Sequence, residues 1–265
     1  MHINAIAWQA VGVAALTGTL VLGGCSHRPD RTTERPDSSV AAPDGPFGSA
    51  TITGIVRFVG TPPDNPAIDM SAASRCRAIY HAPPRQLSVV VNPNGTLANV
   101  FVYVKDGLPA HGHYSASSDP VLLIQRGCQY HPRVLGLLVG ERLAIRNDDV
   151  VAHRLETKGV RTRSVALPQP AGRSTEHVFQ NSEVMVPFEC ARHRWMRAYV
   201  GILPHPFFAV TDGAGRFTIP RLPPGTYTLE AWHEGYGRRT TTVTVTDSMT
   251  RRITFTYTAI SDLTS

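Results

Sequence analysis

Apolar and polar residues alternate in short runs along most of the chain after its first 24 residues. In the first of these runs, Ile52, Val56 and Phe58 share one face of an extended strand, because strand side chains alternate between two faces. Turn-forming segments separate many of the runs, for example the Asn-Pro-Asn-Gly sequence at residues 92–95. No long stretch beyond the N-terminal segment has the 3.6-residue period of a helix. The pattern predicts an all-β fold, an antiparallel sandwich or barrel with few, short helices.

The composition fits this prediction and narrows the function. The 265 residues suffice for one large domain or two small ones, and 22 glycines and 21 prolines suit many short strands joined by turns. A formal net charge of +6 could indicate nucleic-acid binding, but the chain has no basic run interleaved with aromatic residues and no nucleic-acid motif. It also has no recognisable nucleophile motif, acid–base carboxylate pair or phosphate loop. We therefore expect neither a nucleic-acid partner nor an enzyme.

The N-terminal segment indicates export. An apolar run over residues 6–22 ends in Leu-Gly-Gly-Cys, which resembles the lipobox of bacterial lipoproteins. The resemblance implies a signal peptide at residues 1–24, a lipid on Cys25, and a place in the bacterial cell envelope, on the periplasmic or outer face. An ordinary membrane anchor or cleaved signal peptide is the alternative. Residues 25–48 are polar and rich in Pro, Asp and Ser, which predicts a disordered tether.

The remaining cysteines are odd in number. With Cys25 assigned to lipid, Cys76, Cys128 and Cys190 remain, and in an oxidising compartment one of the three thiols must have another role. We favour a Cys76–Cys128 disulfide with Cys190 as a metal thiolate. The two other pairings stay open.

One loop between two predicted strands carries most of the candidate chemistry. It places Cys190, His193 and Met196 at the spacing C-x2-H-x2-M. A blue-copper site needs one thiolate, two imidazoles and a weak axial thioether, and this loop would supply three of the four. Taken singly, the three residues could be a buried thiol, a surface histidine and a core methionine. The fourth ligand has to come from elsewhere in the chain.

An upstream run supplies that ligand. Residues 130–153 contain an aromatic-x-Pro sequence, an apolar strand, Gly-Glu, a second strand, Asn-x-Asp and then a histidine. Together with C-x2-H-x2-M, this order resembles the cupredoxin family, and the loop spacing is amicyanin-like. The resemblance implies a Greek-key β-sandwich over residues 49–205 and one mononuclear type 1 copper. Its implied ligands are His153, Cys190 and His193, with Met196 in the axial position.

The resemblance also implies how the site would be used. Electrons would pass through a solvent-facing edge of His193, with Trp195 packed beside it, to a redox partner protein. Three arginines flank His193 in sequence and would suit an acidic partner such as a cytochrome: Arg192, Arg194 and Arg197. Arg154 stands where many cupredoxins have an asparagine whose side chain ties the two ligand loops together.

The C-terminal segment has a different character. Within residues 206–258, T-D-x-x-G-x-F is followed by L-P-P-G-x-Y-x-L, and both resemble carboxypeptidase regulatory-like domains. These are small transthyretin-like β-sandwiches, and the segment is too short for a whole one. Residues 51–59 resemble the first strand of that family. We therefore predict that this strand is shared with the C-terminal sheet, with the copper module spliced into it or packed against its edge.

These features together predict an exported copper-binding protein that transfers single electrons. Two alternatives stay open. One is copper storage, delivery or resistance with the same ligands but no redox partner. The other is a metal-free envelope module that binds another protein or a glycan, because a fold does not fix a function.

Overall fold

The computed structural model describes residues 45–110 and 112–259. The predicted signal peptide, Cys25 and most of the predicted tether lie outside this part of the chain. The elements in chain order are β1 (Ala50–Val59), α1 (Ser74–Arg77), β2 (Phe101–Asp106), β3 (Val121–Gln125), β4 (Tyr130–His131), β5 (Val134–Leu138), β6 (Arg142–Asn147), β7 (His153–Thr157), β8 (Ala166–Gln169), β9 (Ser174–Val178), β10 (Glu183–Cys190), β11 (Arg197–Leu203), β12 (Phe208–Val210), β13 (Arg216–Leu222), β14 (Gly225–His233), β15 (Gly237–Val245) and β16 (Thr250–Thr258). The prediction of an all-β protein is confirmed, and across the described ranges no helix is long and apolar enough to span a membrane.

The strands form four sheets that enclose two main cores. In the first sandwich, a sheet ordered β5-β11-β10-β7-β8 accompanies one ordered β4-β3-β6-β9. Its core includes Leu123, Leu143, Ile145 and Phe188. In the second sandwich, the sheets β13-β1-β16 and β12-β2-β14-β15 bury a separate cluster around residues such as Ile52.

Three of the four sheets are mixed and only β12-β2-β14-β15 is wholly antiparallel, whereas the pattern of alternation predicts antiparallel pairing throughout. β1 with β16, β5 with β11 and β3 with β6 are parallel pairs. The turn at Gly140 illustrates the reason, because it joins β5 to β6, which belong to different sheets. Neither of these two strands therefore pairs with the other, and each pairs with strands from other parts of the chain. Local alternation carries no information on whether such a pair is parallel or antiparallel.

The two sandwiches divide the chain differently from the predicted ranges 49–205 and 206–258. β1 pairs with β13 and β16, and β2 pairs with β12 and β14, so both early strands complete the second sandwich. The strands β3 to β11 of the first sandwich are inserted between β2 and β12. The pairing of β1, with Thr51 opposite Thr250, is the sharing that was predicted for residues 51–59. The place of β2 was not predicted, because it depends on pairing with strands far away in the chain.

The sandwiches meet across a pair of glycines within a single compact unit. Gly136 of β5 and Gly201 of β11 lie opposite each other. A Cβ on Gly136 would fall 2.2 Å from the Phe208 ring, and one on Gly201 would fall 2.4 Å from the Phe101 ring. The two rings stack with centroids 5.5 Å apart, so the glycines let aromatic side chains of the second sandwich rest on the backbone of the first.

A largely irregular segment between β1 and β2 covers one end of the first sandwich. Residues 67–85, which we call the cap segment, are closed at their base by a bridge between Ala67 and Arg85 and contain α1. Ile68 and Met70 are buried in the core of the first sandwich, and a disulfide joins Cys76 to Cys128. The cap segment is thereby fixed over the turn that precedes β4.

Candidate metal centre

Three of the predicted ligands converge at one end of the first sandwich. His153 is the first residue of β7 and Cys190 is the last residue of β10, and these strands pair antiparallel with Cys190 opposite Leu155. The loop of residues 191–196 then turns back into β11. In this loop the Met196 N–H donates to the His193 carbonyl (2.9 Å) and the Cys190 N–H donates to the Met196 carbonyl (3.3 Å). These bonds hold His193 beside Cys190.

The donor atoms form a nearly isosceles triangle, with the two nitrogens closer to each other than to the sulfur. The Nδ1 atoms of His153 and His193 are 3.0 Å apart, and Cys190 Sγ lies 3.8 Å from the first and 3.7 Å from the second. The circle through these three atoms has a radius of about 2 Å, close to a metal–imidazole bond (~2.0–2.1 Å) and slightly shorter than a metal–thiolate bond (~2.3 Å). The three residues therefore fit a single ion at the centre of the triangle, and a thiolate with two imidazoles suits copper.

The surroundings of the triangle exclude water. His153, Cys190 and His193 are all buried, and Met196 is fully buried in the same core cluster as Cys190. Because Cys76 and Cys128 form a disulfide, Cys190 is the one free thiol in the part of the chain that the structure describes. The donor set is thus a buried His–Cys–His triad with a methionine fixed by the same loop.

The protein favours ionisation of the Cys190 thiol. Burial opposes the charge on its sulfur, but hydrogen bonds from His153 and His193 and from backbone groups of Arg154 and Arg192 outweigh burial and lower the thiol pKa to about 5. For His153, burial acts against the charged ring, while Asp149 and Cys190 act in its favour and raise its pKa. Without metal, Cys190 at neutral pH is a thiolate beside the His153 imidazole, which retains its proton easily. A metal ion would replace that proton.

Asp149 fixes the orientation of His153, and the sequence analysis assigned it no role. Its Oδ2 lies 2.9 Å from His153 Nε2 and accepts the Cys128 N–H at 2.9 Å, while its Oδ1 accepts the Gly127 N–H at 2.6 Å. Burial opposes the Asp149 charge, but these hydrogen bonds prevail and lower its pKa. A carboxylate that accepts the Nε2 proton leaves Nδ1 free to bind a metal. The signal in the sequence is the Asn-x-Asp motif, with its aspartate four residues before the histidine.

Asn147 of the same motif shapes the loop that carries Asp149. Its Nδ2 donates to the carbonyls of Val151 (2.9 Å) and Gln169 (3.0 Å), and its Oδ1 accepts the Asp149 N–H (3.0 Å). Asn147 is fully buried, so these bonds satisfy a polar side chain that burial would otherwise penalise. The motif therefore builds the support for His153.

The position of His193 differs from the expectation of a solvent-facing edge. Its ring is only 9% exposed, and its Nε2 lies 3.4 Å from Cys76 Sγ in the cap segment. The expectation was wrong because the cap segment, which no local pattern assigned to this end of the sandwich, covers the ring. Trp195 packs beside His193 with ring centroids 5.2 Å apart, and this half-buried indole does reach the surface.

The substitution of arginine for asparagine after His153 leaves the two ligand loops connected. The Ala191 N–H donates to the Arg154 carbonyl at 2.9 Å, so the main chain ties together what a side chain ties in many cupredoxins. Arg192 and Arg194 are exposed and form no ion pair with any residue that the structure describes. Arg197 pairs at 3.4 Å with Glu189, which partly neutralises it.

Two further histidines, His205 and His233, are buried outside the triangle. Burial lowers the pKa of His205 to about 4, with backbone groups acting in the opposite direction. Burial, and secondarily the charge of Arg133, lowers the pKa of His233 to about 4. Each ring Nδ1 accepts a backbone N–H two residues later, from Phe207 and Gly235 respectively. Both rings are therefore neutral parts of the fold at pH 7.

Comparison with known proteins gives one family match and several matches to solved structures. Residues 201–258 match the model of the carboxypeptidase regulatory-like domain. Among solved structures, a purple cupredoxin from Nitrosopumilus maritimus is 24% identical with a TM-score of 0.27, over 31% of this chain and 98% of that one. An amicyanin mutant in its Cu(I) form is 14% identical with a TM-score of 0.29, over 38% of this chain and 97% of that one.

A copper-containing nitrite reductase from Thermus scotoductus SA-01 is 17% identical with a TM-score of 0.31, over 38% of this chain but only 26% of that one. No curated protein gives a significant match. The recognition of cupredoxin-like and regulatory-like regions in an all-β chain is confirmed. The case for a metal in this chain rests on its own residues.

Proposed function

We propose that this chain is an exported copper-binding protein that transfers single electrons at a mononuclear type 1 site. The observation that carries the proposal is the buried triangle of His153, Cys190 and His193, whose donor atoms lie 3.0–3.8 Å apart. Copper, when bound, supplies a one-electron Cu(I)/Cu(II) couple. In this proposal the chain is an electron carrier rather than an enzyme, anchored in the cell envelope through Cys25.

Each residue of the centre has a distinct task. Cys190 is held as a thiolate, and the imidazoles of His153 and His193 complete the plane of strong donors. Asp149 holds the proton of His153 on Nε2, which directs Nδ1 to the metal. Met196, buried on the same loop, would supply a weak thioether ligand. Burial of the side chains of His153, Cys190, His193 and Met196 excludes water. The protein groups around the site would therefore rearrange little between Cu(I) and Cu(II).

The surface next to Trp195 is the proposed route for electrons. The cap segment covers His193, whereas Trp195 contacts His193 and reaches the surface, and its Nε1 donates to the Cys128 carbonyl at 2.9 Å. Arg192 and Arg194, which flank His193 in sequence, are both exposed. This arrangement supports an acidic redox partner, such as a cytochrome, and predicts that the association rate falls with ionic strength.

Copper handling is the second candidate, and one observation favours it. A carrier gains from an accessible ligand edge, but here the cap segment covers His193. A covered site suits storage, delivery or resistance, in which slow release matters more than fast electron exchange. Both candidates use the same ligands.

The first experiment tests the metal site itself. Addition of Cu(II) to the purified chain should produce an intense visible thiolate-to-copper band, and Cys190→Ser should abolish it. The control is His113→Ala, which removes an exposed histidine of the single His-x-His sequence and should leave the band unchanged. A missing band, or one that persists in Cys190→Ser, would refute the proposal and favour a metal-free binding module.

The second experiment separates transfer from handling. Fast electron self-exchange, with a Cu(I) affinity similar to the Cu(II) affinity, would support electron transfer. Slow self-exchange with much tighter Cu(I) binding would support handling. The conservative variant Met196→Leu should shift the reduction potential and the band while preserving the fold, because the two side chains have similar volumes.

A further inference from the structure

The disulfide between Cys76 and Cys128 contacts the outer side of His193 and is linked to the outer side of His153 through Asp149. On one side, Cys76 Sγ lies 3.4 Å from His193 Nε2. On the other, the Cys128 N–H donates to the Asp149 carboxylate that binds His153 Nε2. The outward ring nitrogen of His193 is therefore covered by the disulfide itself, and that of His153 by a carboxylate that accepts a backbone N–H from Cys128.

The same disulfide joins two segments that are far apart in sequence. Cys76 belongs to the short helix α1 of the cap segment, whereas Cys128 belongs to the turn before β4. Few other polar contacts hold the cap segment there: the Tyr80 hydroxyl donates to the Gly127 carbonyl at 2.7 Å and accepts from Gln129 Nε2 at 3.1 Å. Most of the cap segment is exposed and irregular, so it has little structure of its own to keep it in position.

Burial shows the effect of this closure. Both cysteines are fully buried, and His193 is only 9% exposed although it sits in a surface loop between two strands. A metal ion or a chelator reaching the triangle from this side would have to displace the cap segment. Displacement is far harder when the cap segment is covalently tied to the turn than when it is held only by hydrogen bonds and by the packing of Ile68 and Met70.

We propose that the Cys76–Cys128 disulfide seals the metal site and so controls how fast metal enters and leaves it. This inference rests on the proposed metal site but is independent of whether the metal transfers electrons or is cargo. With the disulfide formed, the cap segment stays over His193 and metal is trapped. With the disulfide absent, the cap segment opens and His193 becomes accessible.

The test compares metal release with and without the disulfide. Co(II) is the probe, because it suits a Cys/His site and does not oxidise thiols. Decay of the thiolate-to-Co(II) band after addition of excess EDTA gives the release rate. The test variant is Cys76→Ser/Cys128→Ser, which removes the disulfide and adds no thiol. The control is Arg85→Ala, which removes an exposed ion pair with Asp64 from the same segment without touching the disulfide.

A second sample keeps the test decisive if the double variant fails to fold. The wild-type disulfide is reduced with a phosphine, which breaks the S–S bond. The phosphine takes the oxygen of one water molecule and becomes its oxide, and the two protons of that water complete the two thiols. If the phosphine does not reach the buried bond, the chain is reduced in denaturant and refolded under nitrogen. The reductant is removed before Co(II) is added, and circular dichroism checks the fold.

We expect release at least tenfold faster from the double variant and from the reduced wild type, with Arg85→Ala at the wild-type rate. Release within twofold of the wild type from a folded, disulfide-free sample would overturn the seal. The two proposals fail in different ways. If no Cys190-dependent band forms in any sample, the metal site is refuted, whereas a band with equal release rates refutes the seal alone.

Discussion

Asp149 provides the sharpest single perturbation of the centre, because Asp149→Asn changes charge and hydrogen bonding with almost no change in shape. The carboxylate accepts backbone N–H groups on both oxygens, from Gly127 on Oδ1 and from Cys128 on Oδ2, and Oδ2 also binds His153 Nε2. An amide has one acceptor and one donor end. Either orientation therefore points an NH₂ group at a backbone N–H donor.

The two orientations differ in their effect on His153. With the amide oxygen in the Oδ2 position, the contacts to Cys128 and His153 survive and the Gly127 bond is lost. With the oxygen in the Oδ1 position, the NH₂ group faces Nε2, so the imidazole keeps its proton on Nδ1, where the metal must bind. A buried backbone donor loses its acceptor in both cases, which costs about 1–3 kcal/mol of unfolding free energy. The loss of the carboxylate should weaken metal binding by about 10- to 100-fold, or about 1.4–2.7 kcal/mol.

The adjacent residue supplies the matched control. Asp148 forms an exposed ion pair with Arg146 at 2.8 Å, and exposed pairs contribute at most about 1 kcal/mol. Urea denaturation of the metal-free chain and competition with a colorimetric Cu(I) chelator would measure both effects for Asp149→Asn and Asp148→Asn. Wild-type metal affinity in Asp149→Asn would refute the assigned role of Asp149. Lower stability with unchanged affinity would make its role purely structural.

Two further predictions concern the fold. Gly201→Ala should destabilise the chain by about 1–3 kcal/mol in urea denaturation, because its Cβ would fall 2.4 Å from the Phe101 ring. The control Gly213→Ala should be neutral, since its Cβ meets nothing within 4 Å. Equal stabilities of the two variants would contradict the role of Gly201 in packing. His205 and His233 have pKa values of about 4 when folded and near 6.5 when unfolded, so the unfolded chain binds more protons between those pH values. The free energy of unfolding should therefore fall as pH drops from about 6.5 to 4, by up to ~3 kcal/mol for each histidine. His→Asn at both positions preserves an acceptor near the place of Nδ1. This double variant should lose most of that slope when denaturation is measured as a function of pH.

Much of the fold could be predicted from local sequence. The alternation in β1 appears in the structure as Ile52, Val56 and Phe58 buried on one face. The missing helical period correctly indicated that helices are few and short, since α1 has only four residues. The turn at residues 92–95 forms, with the Gly95 N–H donating to the Asn92 carbonyl, although its flanks pair only through an isolated bridge between Val91 and Leu97. Local signals suffice where the interacting groups are close in the chain.

The candidate site likewise has a part that local sequence predicts and a part that depends on contacts between distant segments. Spacing alone placed Cys190, His193 and Met196 on one loop, because a few residues of chain cannot separate their ends widely. The sequence also named His153, but its approach to Cys190 depends on the pairing of β7 with β10. The role of Asp149 depends on backbone donors supplied by the turn at Gly127 and Cys128.

The sequence by itself thus determined the strand content, the ligand loop and the regulatory-like segment. Tertiary structure alone decided that β2 joins β1 in the second sandwich, that several strand pairs are parallel, and that the cap segment covers His193. The physical reason is common to all three. Register and closure between distant segments arise from the packing of whole sheets, and the contact between Cys76 and His193 joins residues that share no local pattern.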